Sequence, residues 1–320
     1  MLKLRVISEA LVAPNIKLIE LENAGGSLPP YGPGAHIKIE LPNDNLNGGT
    51  RHYSLINLEP DLNTGGSPDN YRLGVLLEEQ STGGSAYIHG LKVGDQITCQ
   101  LPSNDFPLGT DDNPLLIAGG IGITPIASMV SELLRNERRF EFHYAGRSSD
   151  SLAFIPELQA NAGDLLELHF DDQENALDLP RLFEAIDTRR HVYVCGPKGM
   201  IEATKQAAEM AGIPAEQIHF ELFTNDANLA SDDSFEVEIS STGAVFIVPA
   251  GRSIIDVLED EGIDLMYDCQ RGDCGICQTN VLSGSPDHRD VVLSEDEKAS
   301  GDVMQICVSR AKSKRLVLEI

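Results

Sequence analysis

Four cysteines gather near the end of the chain as Cys269-x4-Cys274-x2-Cys277, with Cys307 following after a long gap. Four converging thiolates are the ligand set of a [2Fe–2S] cluster, and C-x4-C-x2-C with a remote fourth cysteine is the plant-type spacing. Three ligands would come from one tight loop and the fourth from a separate element beside it. Gly272 and Gly275 lie in that loop, where the missing Cβ lets the backbone wrap closely and aim N–H groups at the sulfurs. Zinc is the competing occupant. It usually takes paired C-x2-C knuckles, and only Cys274 and Cys277 form one. The other alternative is a set of buried structural cysteines, which would produce this spacing only by accident. The remaining two, Cys99 and Cys195, stand alone.

Two glycine-rich turns suggest nucleotide chemistry. Ala118-Gly119-Gly120-Ile121-Gly122-Ile123-Thr124-Pro125 lies between an apolar strand pattern and a helical one, where a pyrophosphate can approach backbone N–H groups. It is not the full G-x-G-x-x-G fingerprint, so a plain strand–helix turn is the alternative. Cys195-Gly196-Pro197 follows the buried run HVYV in the same way. Both turns occupy carboxyl ends of strands, where open α/β sheets bind ligands. Asp171 and Asp172 end another strand, where an acid holds a ribose hydroxyl and repels a 2′-phosphate, favouring NADH over NADPH. Solvated turn residues are the plainer reading of that pair, and Arg147 with Ser148 argues for NADPH. In the N-terminal third, Arg51-His52-Tyr53-Ser54 and the later Gly83-Gly84-Ser85 read either as a phosphate cradle with a tyrosine over a flat ring, or as a surface strand and a turn. The histidines show no metal-ligand spacing, and His36, His89, His143, His169 and His219 read as structural or surface residues.

The elements that must position these groups fall into three segments. Residues 1–106 alternate short strand patterns with Gly/Pro/Asn turns, predicting an antiparallel β-barrel or sandwich. Residues 107–228 alternate strands with helices, predicting a doubly wound parallel α/β sheet. A polar, acidic stretch, Asn225–Ser234, reads as a linker. Residues 229–320 then predict a hairpin turning at Thr242-Gly243, a short amphipathic helix at RSIIDVLEDEG, the cysteine loop and a last strand RLVLEI.

The charge excludes some partners. The chain carries 24 Lys+Arg against 50 Asp+Glu, a net −26, which disfavours nucleic acid and anionic membrane surfaces. No apolar run approaches the ~20 residues of a membrane span, and the first residues lack a signal-peptide core. A cytoplasmic protein is expected, and a shuttling protein of this kind can work as a monomer.

In this order, R-x-Y-S-L, G-G-S, G-G-I-G-I-T-P, C-G-P and the terminal C-x4-C-x2-C…C resemble the phthalate dioxygenase reductase family over essentially the whole chain. Asp287-His288-Arg289-Asp290 and Cys307-Val308-Ser309-Arg310-Ala311-Lys312 resemble family segments too. The resemblance implies a flavin β-barrel domain, an NAD-binding α/β domain and a C-terminal plant-type ferredoxin (β-grasp) domain. It implies FMN bound by Arg51, Tyr53 and Ser54, with Gly83, Gly84 and Ser85 near its phosphate. Gly120 and Thr124 would line the nicotinamide approach, Cys195 (with Gly196 and Pro197) would lie close to the ring, and Phe223 would neighbour the isoalloxazine. It further implies a Rieske-type terminal oxygenase as electron acceptor. The cofactor set has a chemical logic of its own. NADH gives up two electrons together and a [2Fe–2S] cluster takes one, so a flavin must stand between them. An FAD-containing reductase of the same architecture, serving a diiron oxygenase or another acceptor, and a non-catalytic iron–sulfur carrier are the alternatives.

Overall fold

The computed structural model describes the chain except residues 24, 43–48, 63, 67, 80, 82 and 224–231. It divides into two compact units, Met1–Glu221 and Leu222–Ile320. The expected flavin and nucleotide domains therefore share the first unit. Most of the expected linker, and the expected boundary between residues 228 and 229, fall outside the described residues.

The first unit begins with β1 (Leu2–Ala13), β2 (Ile16–Asn23), β3 (His36–Glu40), β4 (Thr50–Ser54) and β5 (Tyr71–Leu76). After α1 (Gly84–Gly90) comes β6 (Gln96–Cys99). The six strands form one antiparallel sheet in the order β4-β3-β6-β1-β2-β5. Alternate residues point inward, so Leu4, Val6, Ile19, Leu21, Ile37, Ile39, Tyr71 and Leu73 build one core. The sheet curls until its two edges meet: the Ile56 N–H, just past β4, donates to the Arg72 carbonyl of β5 at 2.9 Å. The sequence reading placed only a turn at Gly83-Gly84-Ser85, whereas the chain enters α1 there. Seven residues with two glycines carry little helical propensity. Burial of Ile88 in the barrel core sustains the helix instead.

The chain continues through β7 (Leu115–Gly119), α2 (Ile123–Arg135), β8 (Glu141–Gly146), α3 (Ile155–Ala162) and β9 (Leu166–Phe170). It then runs through α4 (Leu179–Phe183), β10 (Val192–Cys195), α5 (Lys198–Met210) and β11 (Ile218–Glu221). The five strands are parallel in the order β11-β10-β7-β8-β9. The winding reverses between β7 and β10, which puts a crevice at the carboxyl ends of those two strands. Both predicted glycine turns sit there.

Helix α2 ties this sheet to the barrel through buried hydroxyls. Ser128 Oγ donates to the Leu55 carbonyl and accepts from the Asn57 N–H, each at 2.8 Å, and Ser131 Oγ donates to the Asn57 carbonyl at 2.8 Å. Segment 55–57 leaves β4 with no strand partner for these groups, and unmet buried backbone groups are costly. Two buried serines of α2 meet that need.

The second unit comprises β12 (Phe235–Ile239), β13 (Val245–Val248), α6 (Ile254–Asp260), β14 (Gln278–Ser283) and β15 (Pro286–Asp287). It ends with α7 (Glu295–Ser300), β16 (Val303–Gln305), β17 (Arg310–Ala311) and β18 (Arg315–Leu318). Its main sheet is mixed, in the order β13-β12-β18-β14-β16, with β12 and β18 parallel. The hairpin turns at Gly243, whose φ of 70° only glycine adopts freely. Ser253 caps α6 in a reciprocal box with Asp256, and Ile254, Ile255, Val257 and Leu258 bury against Val237, Leu316 and Leu318 of the sheet. No helix among the described residues is long and apolar enough to cross a membrane.

Candidate functional site

The cysteine loop folds as its glycines require. Gly272 and Gly275 both have positive φ, and a Cβ on Gly272 would lie 2.7 Å from Val308 and 3.0 Å from the Asp290 backbone. That close approach brings the turn carrying Cys307, just after β16, against the loop. The Cys269 side chain interacts with those of Cys274 and Cys307, and Cys307 also with Cys277, so the four sulfurs form one continuous set. None is in a disulfide; Cys269, Cys277 and Cys307 are buried and Cys274 is half-buried. Contact with Cys274 and Cys307 holds the Cys269 thiol far below its usual range, while contact with Cys269 and Cys277 pushes Cys307 up. The Arg271 N–H donates to Cys269 Sγ at 3.3 Å, as a loop that supplies N–H groups to cluster sulfurs should. Three buried cysteines and one half-buried one, with a backbone N–H on the Cys269 sulfur, fit a [2Fe–2S] cluster.

Several supporting residues carry no role in the sequence analysis, although Arg289, Asp290 and Arg310 lie in the segments that resemble the family. Gln305 is fully buried, with Oε1 at 3.4 Å from Cys277 Sγ and Nε2 donating to Gln278. Buried Asp290 accepts from the Leu293 N–H at 2.8 Å. Burial pushes Asp273 up to about 7, against Arg271 beside it, and its Oδ2 accepts from the Leu222 N–H at 2.9 Å. The segments containing Arg289 and Arg310 are fastened through Asp232. Arg289 forks onto it at 2.8 and 3.0 Å, and Arg310 Nε lies 3.2 Å away while its guanidinium donates to the Arg252, Asp233 and Pro249 carbonyls.

In the first unit, Arg51 and Tyr53 of β4 come together with the start of α1. A Cβ on Gly84 would sit 2.7 Å from Arg51 Cγ and 2.8 Å from the Tyr53 hydroxyl. The two motifs are thus flush against each other, and only glycine permits it. Ser54 and Ser85 are both buried, and Ser85 Oγ donates to Ser81 Oγ at 2.9 Å. Gly83 has φ 107°, which turns the chain into the helix. A guanidinium, a tyrosine and a glycine-led helix start fit a flavin with a phosphate. Thr124, at the head of α2, faces the same barrel: a Cβ on Gly74 of β5 would lie 3.2 Å from Thr124 Cγ2 and 2.9 Å from Ile56 Cδ1.

At the switch point the glycine turns interlock. A Cβ on Gly122 would fall 2.2 Å from the Cys195 carbonyl oxygen. One on Gly119 would meet Met200 Sδ at 2.6 Å and Pro197 Cδ at 2.8 Å, and one on Gly196 would meet Gly119 Cα at 3.1 Å. Gly120 differs. Its φ is 54°, yet a Cβ there would meet nothing within 4 Å, so its backbone faces open space. Tyr144 Oη donates to its carbonyl at 3.1 Å. Cys195 is fully buried at the end of β10. Asp171 is exposed just beyond β9, where its N–H donates to the Gly146 carbonyl; the neighbouring strand β8 ends at Gly146 and is followed by Arg147 rather than by an acid. Phe223 is half-buried at the start of the second unit.

Residues 237–312 match the 2Fe-2S iron-sulfur cluster binding domain family, and residues 116–206 the oxidoreductase NAD-binding domain family. Over its full length the chain is 40% identical to a vanillate O-demethylase oxidoreductase of Pseudomonas sp. (strain HR199 / DSM 7063), covering 100% of that protein. It is 41% identical to a tetrachlorobenzoquinone reductase of Sphingobium chlorophenolicum, covering 97% of this chain and 95% of the relative. A solved phthalate dioxygenase reductase, described as a modular structure for electron transfer from pyridine nucleotides to [2Fe–2S], superposes with a TM-score of 0.75 at 35% identity, covering 100% of this chain and 98% of the other. The chain belongs to the phthalate dioxygenase reductase family.

As a phthalate dioxygenase reductase family member it is an oxidoreductase that carries electrons from NADH by way of a flavin to a [2Fe–2S] cluster. The family's modules account for the three larger sheets in chain order. In such modules the cofactors carry the redox chemistry and the protein positions them.

Proposed function

We propose that this reductase uses NADH and FMN and passes single electrons through its [2Fe–2S] cluster to a Rieske-type terminal oxygenase in the cytoplasm. The observation that carries the reading is the seating of Gly84 directly on Arg51 and Tyr53, in a chain whose four clustered cysteines converge. When bound, the flavin takes the nicotinamide's electron pair and releases single electrons that the cluster can accept. Arg51 neutralises the flavin phosphate at the start of α1, with Gly83, Gly84 and Ser85 supplying close-approach backbone and a hydroxyl. Tyr53 and Ser54 hold the ring system. Gly120 and Thr124 leave room for the nicotinamide, and Cys195, which is buried, closes the crevice behind it together with Gly196 and Pro197. Orientation of this kind is the protein's main contribution to hydride transfer. Asp171 binds the adenosine ribose and sets the preference for NADH over NADPH. Cys269, Cys274, Cys277 and Cys307 ligate the cluster, with the Arg271 N–H holding the Cys269 sulfur.

The deciding experiment is an anaerobic NADH titration followed by visible absorbance and low-temperature EPR, with the flavin extracted and weighed. Bleaching of flavin and cluster together, a rhombic [2Fe–2S] signal and the mass of FMN are expected. A flavin that bleaches without any cluster signal in fully metallated protein would overturn the electron path. A second reading, direct reduction of a quinone, is favoured by the 41% identical tetrachlorobenzoquinone reductase. It predicts that quinone turnover survives loss of Cys307, whereas oxygenase-coupled turnover does not.

A further inference from the structure

The register of β8 and β9 assembles a group that no spacing in the sequence announces. His143 stands beside Glu167, and Ala145 beside His169, in the parallel ladder, so the three polar side chains share one face of the sheet. His143 Nδ1 and His169 Nε2 are 2.9 Å apart, and Glu167 Oε2 is 3.7 Å from His143 Nδ1. One ligand atom from each residue lies within 4.8 Å of the others.

The outer nitrogens of both rings are already committed. His143 Nε2 is 3.0 Å from Glu141 Oε1, and the other oxygen of that carboxylate accepts from the Arg190 guanidinium, so the carboxylate is an acceptor on both sides. His143 Nε2 must therefore carry the hydrogen and donate. His169 Nδ1 is 3.1 Å from the Asn175 carbonyl oxygen, which can only accept, so it too must donate. In neutral imidazoles both remaining lone pairs, on His143 Nδ1 and His169 Nε2, then face each other at 2.9 Å. Such a contact needs a cation between or beside the nitrogens. A proton would bridge only the two nitrogens, whereas a metal ion would also engage a third donor, Glu167, which faces the same point. A tetrahedral zinc ion with bonds of about 2.0–2.1 Å spans ligand atoms about 3.3 Å apart. The observed separations straddle that value, and His169 is only half-buried and can swing to meet it. Zinc-bound histidines typically donate their second N–H to a carboxylate or backbone carbonyl, the arrangement found on both rings.

We propose that His143 Nδ1, His169 Nε2 and Glu167 form a Zn2+ site that clamps edge strand β9 to β8, with a fourth position open to water. No ion need be reduced or oxidised there, so the site is separate from the electron path.

The test uses flavin- and cluster-loaded protein, whose iron ligands are occupied. Protein equilibrated with Zn2+ and dialysed is analysed for zinc and iron by mass spectrometry, and its affinity is measured against a fluorescent zinc chelator. One equivalent of zinc is expected, with a rise in melting temperature on binding. His169→Ala and Glu167→Gln, both at solvent-accessible positions, should each lose at least tenfold in affinity with iron content unchanged. Glu141→Gln should lose roughly tenfold to a hundredfold by releasing the His143 ring. Wild-type protein that retains no zinc, or a His169→Ala variant that binds it equally well, would refute the site.

Discussion

At the residue scale, single atoms decide whether each cofactor can be held. Gly84→Ala puts a methyl 2.7 Å from Arg51 Cγ and 2.8 Å from the Tyr53 hydroxyl, so one side of the cradle must move. Overpacking of this kind costs about 1–3 kcal/mol, which corresponds to a loss of roughly five- to 150-fold in flavin affinity if the displaced groups are those that bind it. Fluorescence titration of the deflavinated protein measures this directly, and unchanged affinity would remove Arg51 and Tyr53 from the flavin site. Cys307→Ser separates the two halves of the electron path. The variant should lose the cluster absorbance and its EPR signal, yet NADH should still bleach the flavin. The cysteine set was legible because its ligand spacing is local apart from one remote member. The seating of Gly84 on Arg51 was not, because it depends on how β4 lies against α1.

Within elements, burial and register do the positioning. The apolar runs of β7 and β10 were readable as strands because both faces are covered, and their glycine ends were readable as turns. Sequence left their interlock hidden. Gly122 touches the Cys195 carbonyl only because β7 and β10 are neighbours in the parallel sheet. Gly122→Ala would press a Cβ to 2.2 Å from that backbone oxygen, where no side chain can swing aside. We expect a loss of about 1–3 kcal/mol or more, seen as a fall in melting temperature of roughly 2–4 °C per kcal/mol, with weaker NADH binding. By contrast, Ser131→Ala removes one buried hydrogen bond, leaves the Asn57 carbonyl unmet, and should cost about 1 kcal/mol. The same non-local logic explains the histidines. His143 and His169 are 26 residues apart and read as unrelated, until β8 and β9 pair and set them 2.9 Å from each other. α1 escaped detection for another reason: its sequence has no helical signature, and tertiary burial of Ile88 overrides weak propensity.

The whole molecule carries a net −26, and from Ser231 onward 18 acidic residues face 8 basic ones, a net −10 on the cluster-bearing portion. An acidic surface around an electron exit attracts a basic docking face and accelerates encounter more than it strengthens the complex. Steered encounters of this kind slow steeply as salt screens them, because the Debye length shrinks from about 30 Å at 0.01 M to about 10 Å at 0.1 M. The expected outcome depends on the sign of the acceptor's charge. With cytochrome c, a basic protein, the second-order rate of reduction should fall by roughly tenfold or more between those salt concentrations. With ferricyanide, a small anion that the same surface repels, it should rise. Stopped-flow measurement of both acceptors on one preparation, pre-reduced by NADH, separates steering from any effect of salt on hydride transfer, which would move both rates in the same direction. If neither rate responds, the acidity serves solubility alone, and recognition of the oxygenase must rest on contacts close to the cluster loop.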